Sequence, residues 1–296
     1  MTATPSRGLA ITALVLGALA IGFSPIFVRL TGTGPAAAGF WRLTMALPAL
    51  LALTLANRPA GGLQGPKPIT LLAGLFFALD LGFWHYGVKF TTVANATILA
   101  NLSPVVVTAA AWLMLGERPR KTFLAGLALS LAGVWAIAAA KGAGEGLDPG
   151  LGEALSITTA VWYAGYMLCV RRLRSTQTAS EVMLWSSGFG APLILAAALL
   201  LHERILPTSL GGWGACIGLG AVHVVGQGCI AWALGRLPAA TAAVVILVQP
   251  VLTAILGWLI FAEALGPLQA LGGAVALAGV VIAQLAAARA PETTAA

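Results

Sequence analysis

Charge is what this chain has least of. Only 8% of its 296 residues are Asp, Glu, Lys or Arg, against 59% apolar residues and a mean hydropathy of +0.94. A soluble domain carries about 25% charged residues, because its surface must stay in water. The deficit excludes a water-coated globule and leaves most of the surface to hydrocarbon. Cysteine is scarce too. Cys169, Cys216 and Cys229 lie inside apolar runs without CxxC or Cys/His ligand spacing, so they read as packing thiols. No HExxH, no GxxxxGK[ST] and no GxGxxG leading a helix occurs. Ser186-Ser187-Gly188 and three scattered histidines supply no ordered base for a nucleophile. The sequence therefore calls for no enzyme activity, no metal and no cofactor. The net charge of +7 does not point to nucleic acid, because the basic residues are spread between apolar runs instead of clustered.

What the chain does have is long continuous apolar runs. Backbone in lipid must satisfy its own hydrogen bonds, which leaves helices or a closed barrel, and unbroken rather than alternating runs select helices. Ten spans are expected near 9–28, 36–56, 69–88, 94–115, 122–140, 152–170, 182–201, 211–234, 239–261 and 267–288. The first run continues past the small-residue stretch Ala18-Leu19-Ala20, so it reads as an uncleaved span and not a signal peptide. With the N-terminus inside, eleven basic residues fall in cytoplasmic segments and five (Arg29, Arg42, Lys89, Lys141, Arg204) on the other side. This asymmetry predicts both termini in the cytoplasm of a cell with the protein in its cytoplasmic (inner) membrane.

The second half repeats the first. An offset of 146 residues aligns Pro104 with Pro250, Trp112 with Trp258, Glu117 with Glu263, Gly126 with Gly272 and Gly133 with Gly279. Each half, 1–144 and 145–296, holds five spans, an odd number, so the second copy enters the membrane from the opposite side. The expected fold is thus all-α integral membrane: ten transmembrane helices as two inverted five-helix repeats around a central cavity. Inverted repeats are typical of alternating-access transporters, with substrate bound near the midplane between the halves.

The doubled motif carries a resemblance. Ser103-Pro104, Leu115-Gly116-Glu117 and Gly126/Gly133, repeated as Gln249-Pro250, Phe261-Ala262-Glu263 and Gly272/Gly279, resemble the drug/metabolite transporter superfamily, and within it the ten-span EamA-type exporters. The stretch Leu81 to Lys89 also fits that group. The resemblance implies efflux of small metabolites, often amino acids, through a central cavity. A likeness to the group's aromatic amino acid exporters implies aromatic cargo. One departure is Ile21-Gly-Phe-Ser-Pro25, where such proteins often place Trp-Gly; span 6 keeps a tryptophan, Trp162.

Polar residues inside spans are costly and read as candidate site residues. Asp80 is the carboxylate well inside a span, where insertion costs about 2.5–3.5 kcal/mol. It reads as a substrate-amine or proton site, or as a buried Asp satisfied by a neighbouring helix. Trp84 shares its face and His85 is adjacent. On span 4, Thr97, Asn101 and Thr108 form one stripe ending near Pro104. Pro104 and Pro250 each free a backbone carbonyl and read as cavity-lining or gating kinks. Span 6 carries Ser156, Thr159, Tyr163 and Tyr166 on one face beside Trp162, a wall suited to an amphipathic ligand or simply to packing. His223 and Gln227 pair on span 8, and Gln249 precedes Pro250; each reads as cavity lining or as a helix–helix hydrogen bond. Glu117 and Glu263 lie at helix ends and read as caps. Gly214 and Gly218, at GxxxG spacing, read as sites of close helix approach.

The expected function is a gradient-driven exporter of amino acids or related small metabolites, acting as a monomer or weak oligomer with only substrate and bilayer as partners. Asp80 and His85 are its proton candidates. The alternatives are an efflux transporter for drugs and organic cations, and a membrane receptor or membrane enzyme that transports nothing.

Overall fold

The computed structural model describes residues 7–57, 62–90, 99–116, 118–140, 149–261 and 266–288. Thr97, Glu117 and Glu263, given roles above, lie outside them. The regular secondary structure among the described residues is entirely helical, with no strand. Span 1 is α1 (Arg7–Ile21) followed by α2 (Ser24–Leu30); span 2 is α3 (Pro35–Ala56) and span 3 is α4 (Pro68–Phe90). Spans 4 and 5 contain α5 (Ser103–Leu115) and α6 (Lys121–Ala140), span 6 is α7 (Pro149–Leu173) and span 7 is α8 (Ala179–Leu200). Span 8 joins α9 (Leu210–Val222) to α10 (Gly228–Leu234) through a π-helical turn, His223–Gln227. Span 9 is α11 (Ala239–Ile246) plus α12 (Val248–Phe261), and span 10 is α13 (Pro267–Ala288). Spans 1, 2, 3, 7 and 8 are long and apolar enough by themselves to cross a bilayer; spans 4, 5, 9 and 10 contribute shorter apolar helices.

The interruptions have local causes. Pro25 and Pro104 each sit in the first turn of a new helical segment, where the missing N–H costs nothing because first-turn donors have no partner anyway. Pro250 falls in the first turn of α12, just after the break at Leu247. Pro25, Pro104 and Pro250 therefore restart helices instead of bending continuous ones, whereas Pro48 and Pro192 lie inside α3 and α8. The break at Gly22-Phe23 and the π turn in span 8 have no counterpart in the expected pattern.

Glycine contacts fix the direction of the two copies. A Cβ on Gly126 would lie 2.8 Å from the Gly279 carbonyl, and one on Gly133 would lie 2.5 Å from the Gly272 carbonyl. As the number rises along span 5 it falls along span 10, so the two equivalent helices cross antiparallel. The repeat is inverted. Ser130 Oγ sits 3.2 Å from the Ala276 carbonyl at the centre of this crossing. The rest of the packing shows the same pseudo-symmetry: span 3 packs on spans 6 and 7, and span 8 on spans 1 and 2. Gly74 lets span 3 reach the Ser186 backbone, and Gly220, the matching position, lets span 8 reach Met45. On the expected GxxxG pair the structure divides. Gly218 admits the Phe27 ring, but Gly214 faces open space, so only one of the two serves close approach.

Side-chain distribution follows the bilayer as solvent. Leu113, Trp135, Leu200, Leu210 and Val281 project outward, exposed. Arg42, Asp80, His85, Thr159, Ser187, His223 and Gln227 are buried within the bundle.

Candidate functional site

A cavity of about 110 Å³ lies between the repeats. Its wall comes from Ser24 and Pro25 of span 1, Arg42 of span 2, Asp80 and Trp84 of span 3, and Asn101 and Ser103 ahead of and at the start of α5. The second repeat adds Thr159 and Tyr163 of span 6, Gln227 of span 8, and Gln249 and Pro250 of span 9. The breaks in spans 1, 4 and 9 open onto it, and the π turn of span 8 ends at Gln227 on its wall. Irregular backbone at membrane depth is tolerated only where protein or a polar cavity covers it, and π turns occur often at functional sites.

Asp80 and Arg42 define its electrostatics. They are 8% and 3% exposed, and each feels the other's charge. Among the described residues, neither side chain has a hydrogen bond or an ion pair, and Arg42 Nε is buried without a partner. Two opposite charges thus face one small cavity without closing on each other. The guanidinium lies 5.8 Å from the Phe77 ring centre. Behind it, Phe77 stacks on Tyr166 at 4.5 Å and on His223 at 5.2 Å, while His223 Nε2 is 2.9 Å from Ser187 Oγ.

Of the residues expected at the site, Asp80, Trp84, Asn101, Tyr163, Gln227, Gln249 and Pro250 share this wall. Tyr166 and His223 form the layer behind Arg42. Trp162 packs between Phe76 and Phe83 instead of on the cavity. Pro104 is buried in α5, one residue beyond the wall. His85 is turned to the first turn of α3, its Nδ1 2.7 Å from the Pro35 carbonyl. A carbonyl only accepts, so Nδ1 carries the proton there; Nε2 is buried and unpartnered. Arg42 is the residue the sequence reading placed elsewhere, among the outer-side charges that set orientation. The signal was present: position 42 lies inside the expected span 36–56, where a charge reads as functional.

Both ends of the span 2–span 7 pair are laced by loops from the opposite repeat. At one end Glu203 accepts hydrogen bonds from Ala36 N–H at 3.2 Å, Ala37 N–H at 2.9 Å and the Tyr86 hydroxyl. Trp41 Nε1 donates to the Ile205 carbonyl at 2.7 Å. At the other end Glu181, in a capping box with Thr178, accepts from Gln64 N–H at 3.3 Å, and Trp185 Nε1 donates to the Gln64 carbonyl at 2.9 Å. Glu203 places a negative charge on the N-terminus of α3, an arrangement that stabilises by up to about 1 kcal/mol at such exposure. Glu203→Gln is expected to cost about 1 kcal/mol, a fall in thermal midpoint of roughly 2–4 °C, measurable on the detergent-solubilised protein. Tyr86→Phe is expected to move it less.

With that geometry in hand, comparison with known proteins places the chain in a class. The description of the EamA-like transporter family matches it twice, over residues 8–139 and 150–284. The chain belongs to that family, within the drug/metabolite transporter superfamily, and is a multi-pass membrane protein. It is 28% identical over 278 residues to an uncharacterized transporter of Archaeoglobus fulgidus, covering 92% of this chain and 94% of that one. It is 27% identical over 207 residues to the pseudopaline exporter of Pseudomonas aeruginosa, covering 70% and 71%. It is 25% identical over 301 residues to a probable terminal-alkyne amino-acid exporter of Streptantibioticus cattleyicolor, covering 92% of each. A crystal structure with 23% identity superimposes with a TM-score of 0.77 over 94% of this chain and 98% of that one, a likeness of fold alone.

Proposed function

We propose that the chain exports a small zwitterionic metabolite of the amino-acid class across the cytoplasmic membrane by alternating access. Arg42 takes the carboxylate and Asp80 the ammonium group. The observation that carries this reading is the unpaired Arg42 and Asp80 on one cavity wall. Buried charges are stable only when paired, and a zwitterion supplies a partner to each at once. Asn101, Gln227 and Gln249 offer amides around the same space, while Trp84 and Tyr163 offer faces for an apolar side chain. Relatives named as exporters, one of them of an amino acid, support the same class.

The laced ends of spans 2 and 7 fit an occluded resting form. Orientation follows from the basic residues: with Arg42 inside a span, the outer tally falls and the asymmetry favouring cytoplasmic termini widens. Asp80 is the proton candidate that remains on the cavity, so proton coupling, if present, passes through it and not through His85. Transport needs no enzymatic step, and no chemistry on the cargo is part of this reading. Efflux of organic cations is the second reading, favoured by Asp80 beside Trp84 and Tyr163 and opposed by Arg42.

Counterflow into liposomes tests it, with labelled small L-amino acids as cargo. The free amino acid is expected to compete, whereas its amide, lacking the carboxylate, and its deaminated acid, lacking the ammonium, compete at least about tenfold more weakly. Equal competition by the amide would transfer the assignment to organic cations. Absence of any flux would favour a receptor or membrane enzyme.

A further inference from the structure

A second cavity, of about 810 Å³, opens at the end of the bundle where span 1 begins, spans 2 and 8 end and span 7 begins. It shares no residue with the central site. Its wall is graded. Toward the bilayer interior it is apolar, with Leu50, Leu53, Val224 and Val225; Leu53 and Val225 are exposed, so the groove opens sideways toward lipid. Toward the end of the bundle it turns to hydroxyls, on Ser175, Thr176, Thr178 and Ser180, and to two guanidiniums, on Arg174 and Arg236. From Val225 to Leu234, just before Arg236, the helical chain climbs about 14 Å at 1.5 Å per residue, close to half of a hydrocarbon core of about 30 Å. The groove is one leaflet deep and carries the polarity profile of one phospholipid.

The charge selects the headgroup. No carboxylate lines the groove among the described residues. Arg236 lies over the Trp232 ring at 3.7 Å and donates through Nη1 to the Trp232 carbonyl at 2.8 Å. Arg174 donates through Nε to the Ala231 carbonyl at 3.0 Å, and through Nη1 to the Gln177 carbonyl. These bonds hold two like charges close enough to repel, with Glu181 as a buried partial counter-charge behind the wall. Each guanidinium has five N–H donors, and the bonds named engage two on Arg174 and one on Arg236. Donors held in place beside one another, with no carboxylate on the groove wall among the described residues, fit a phosphate diester, and basic pockets between transmembrane helices bind anionic headgroups.

We infer that this groove binds one anionic phospholipid of the leaflet on the N-terminal side, its phosphate at Arg174 and Arg236 and an acyl chain along Leu53 and Val225. The site sits on the inner ends of spans 1, 2, 7 and 8, which must separate or close as the halves rock, so its occupancy weights one conformation over the other.

Native mass spectrometry of the full-length protein in detergent tests this, with phosphatidylglycerol and phosphatidylcholine of matched chains as probes. Phosphatidylglycerol is expected to be retained severalfold over phosphatidylcholine. Arg236→Gln, at an exposed turn position two residues past the end of α10, is expected to cut that preference about fivefold. Val225→Trp, which fills the apolar end and leaves the charges in place, should lower retention of both lipids, and Arg120→Gln should leave everything unchanged. Equal retention of the two lipids overturns the inference. So does an Arg120→Gln loss as large as that of Arg236→Gln, which reports general charge, or full displacement of phosphatidylglycerol by millimolar inorganic phosphate, which reports a free-anion site.

Discussion

Arg42→Gln and Asp80→Asn are each expected to abolish counterflow of the zwitterion. Losing one charge-assisted contact to a desolvated substrate group costs about 2–5 kcal/mol, which is a loss of roughly 30-fold or more in affinity. Each single variant also removes the opposite charge that faces the remaining one across the cavity, so it lowers stability as well as affinity. Loss of flux in the single variants therefore mixes a site effect with a folding effect. The double neutral variant Arg42→Gln/Asp80→Asn separates them, because it leaves neither of the two charges facing the cavity. It is expected to purify and melt like the parent while showing no counterflow. A double variant that still carries the amino acid at the parental rate sinks the zwitterion assignment. A double variant as unstable as the singles shows instead that the two residues hold the fold through each other.

Gly133→Leu is expected to give the largest loss of folded protein. An added Cβ would stand 2.3 Å from the Ala276 backbone nitrogen and 2.5 Å from the Gly272 carbonyl. Neither atom can step aside as the end of a flexible side chain would. Overpacking in a close-packed interior costs about 1–3 kcal/mol when side chains can adjust, and here a whole isobutyl group meets backbone on the mating helix, so about 3 kcal/mol or more is expected. Gly214→Ala is the control. Nothing stands near that position, and alanine is the better helix former by up to about 1 kcal/mol, so the control should equal or exceed the parent. Fluorescence-detected size exclusion and thermal midpoints read both. If Gly133→Leu remains monodisperse with an unshifted midpoint, spans 5 and 10 do not cross as described.

The two charges of the cavity differ in how openly the sequence shows them. Asp80 was legible because a carboxylate in an apolar run has no cheap explanation. Arg42 was not, because near the end of a run an arginine is also an ordinary orientation anchor, and one position cannot tell the two apart without its neighbours in space. The same limit applies to span 6. Its stripe of Thr159, Tyr163 and Tyr166 is a single helical face, yet Thr159 and Tyr163 meet the cavity while Tyr166 stacks on Phe77 behind it. Periodicity assigns a face to a helix; it does not say how deep a neighbouring helix reaches across that face. Trp162 and His85 show the reverse case, chemically suggestive residues turned toward packing partners.

Composition, run length and the repeat at 146 residues determined by themselves that this chain is a ten-span helical membrane protein of two inverted halves, because the bilayer permits so few ways to satisfy backbone and apolar side chains. The class of the family followed from the same residues. What only the tertiary structure decided is which polar groups share a space: Arg42 of one span facing Asp80 of another, breaks in spans 1, 4 and 9 and a π turn converging on one cavity, and a graded groove at one end of the bundle. Those arrangements depend on helix rotation and crossing. Rotation and crossing are set by contacts between residues far apart in the chain, such as Gly126 against Gly279, and no local pattern encodes them.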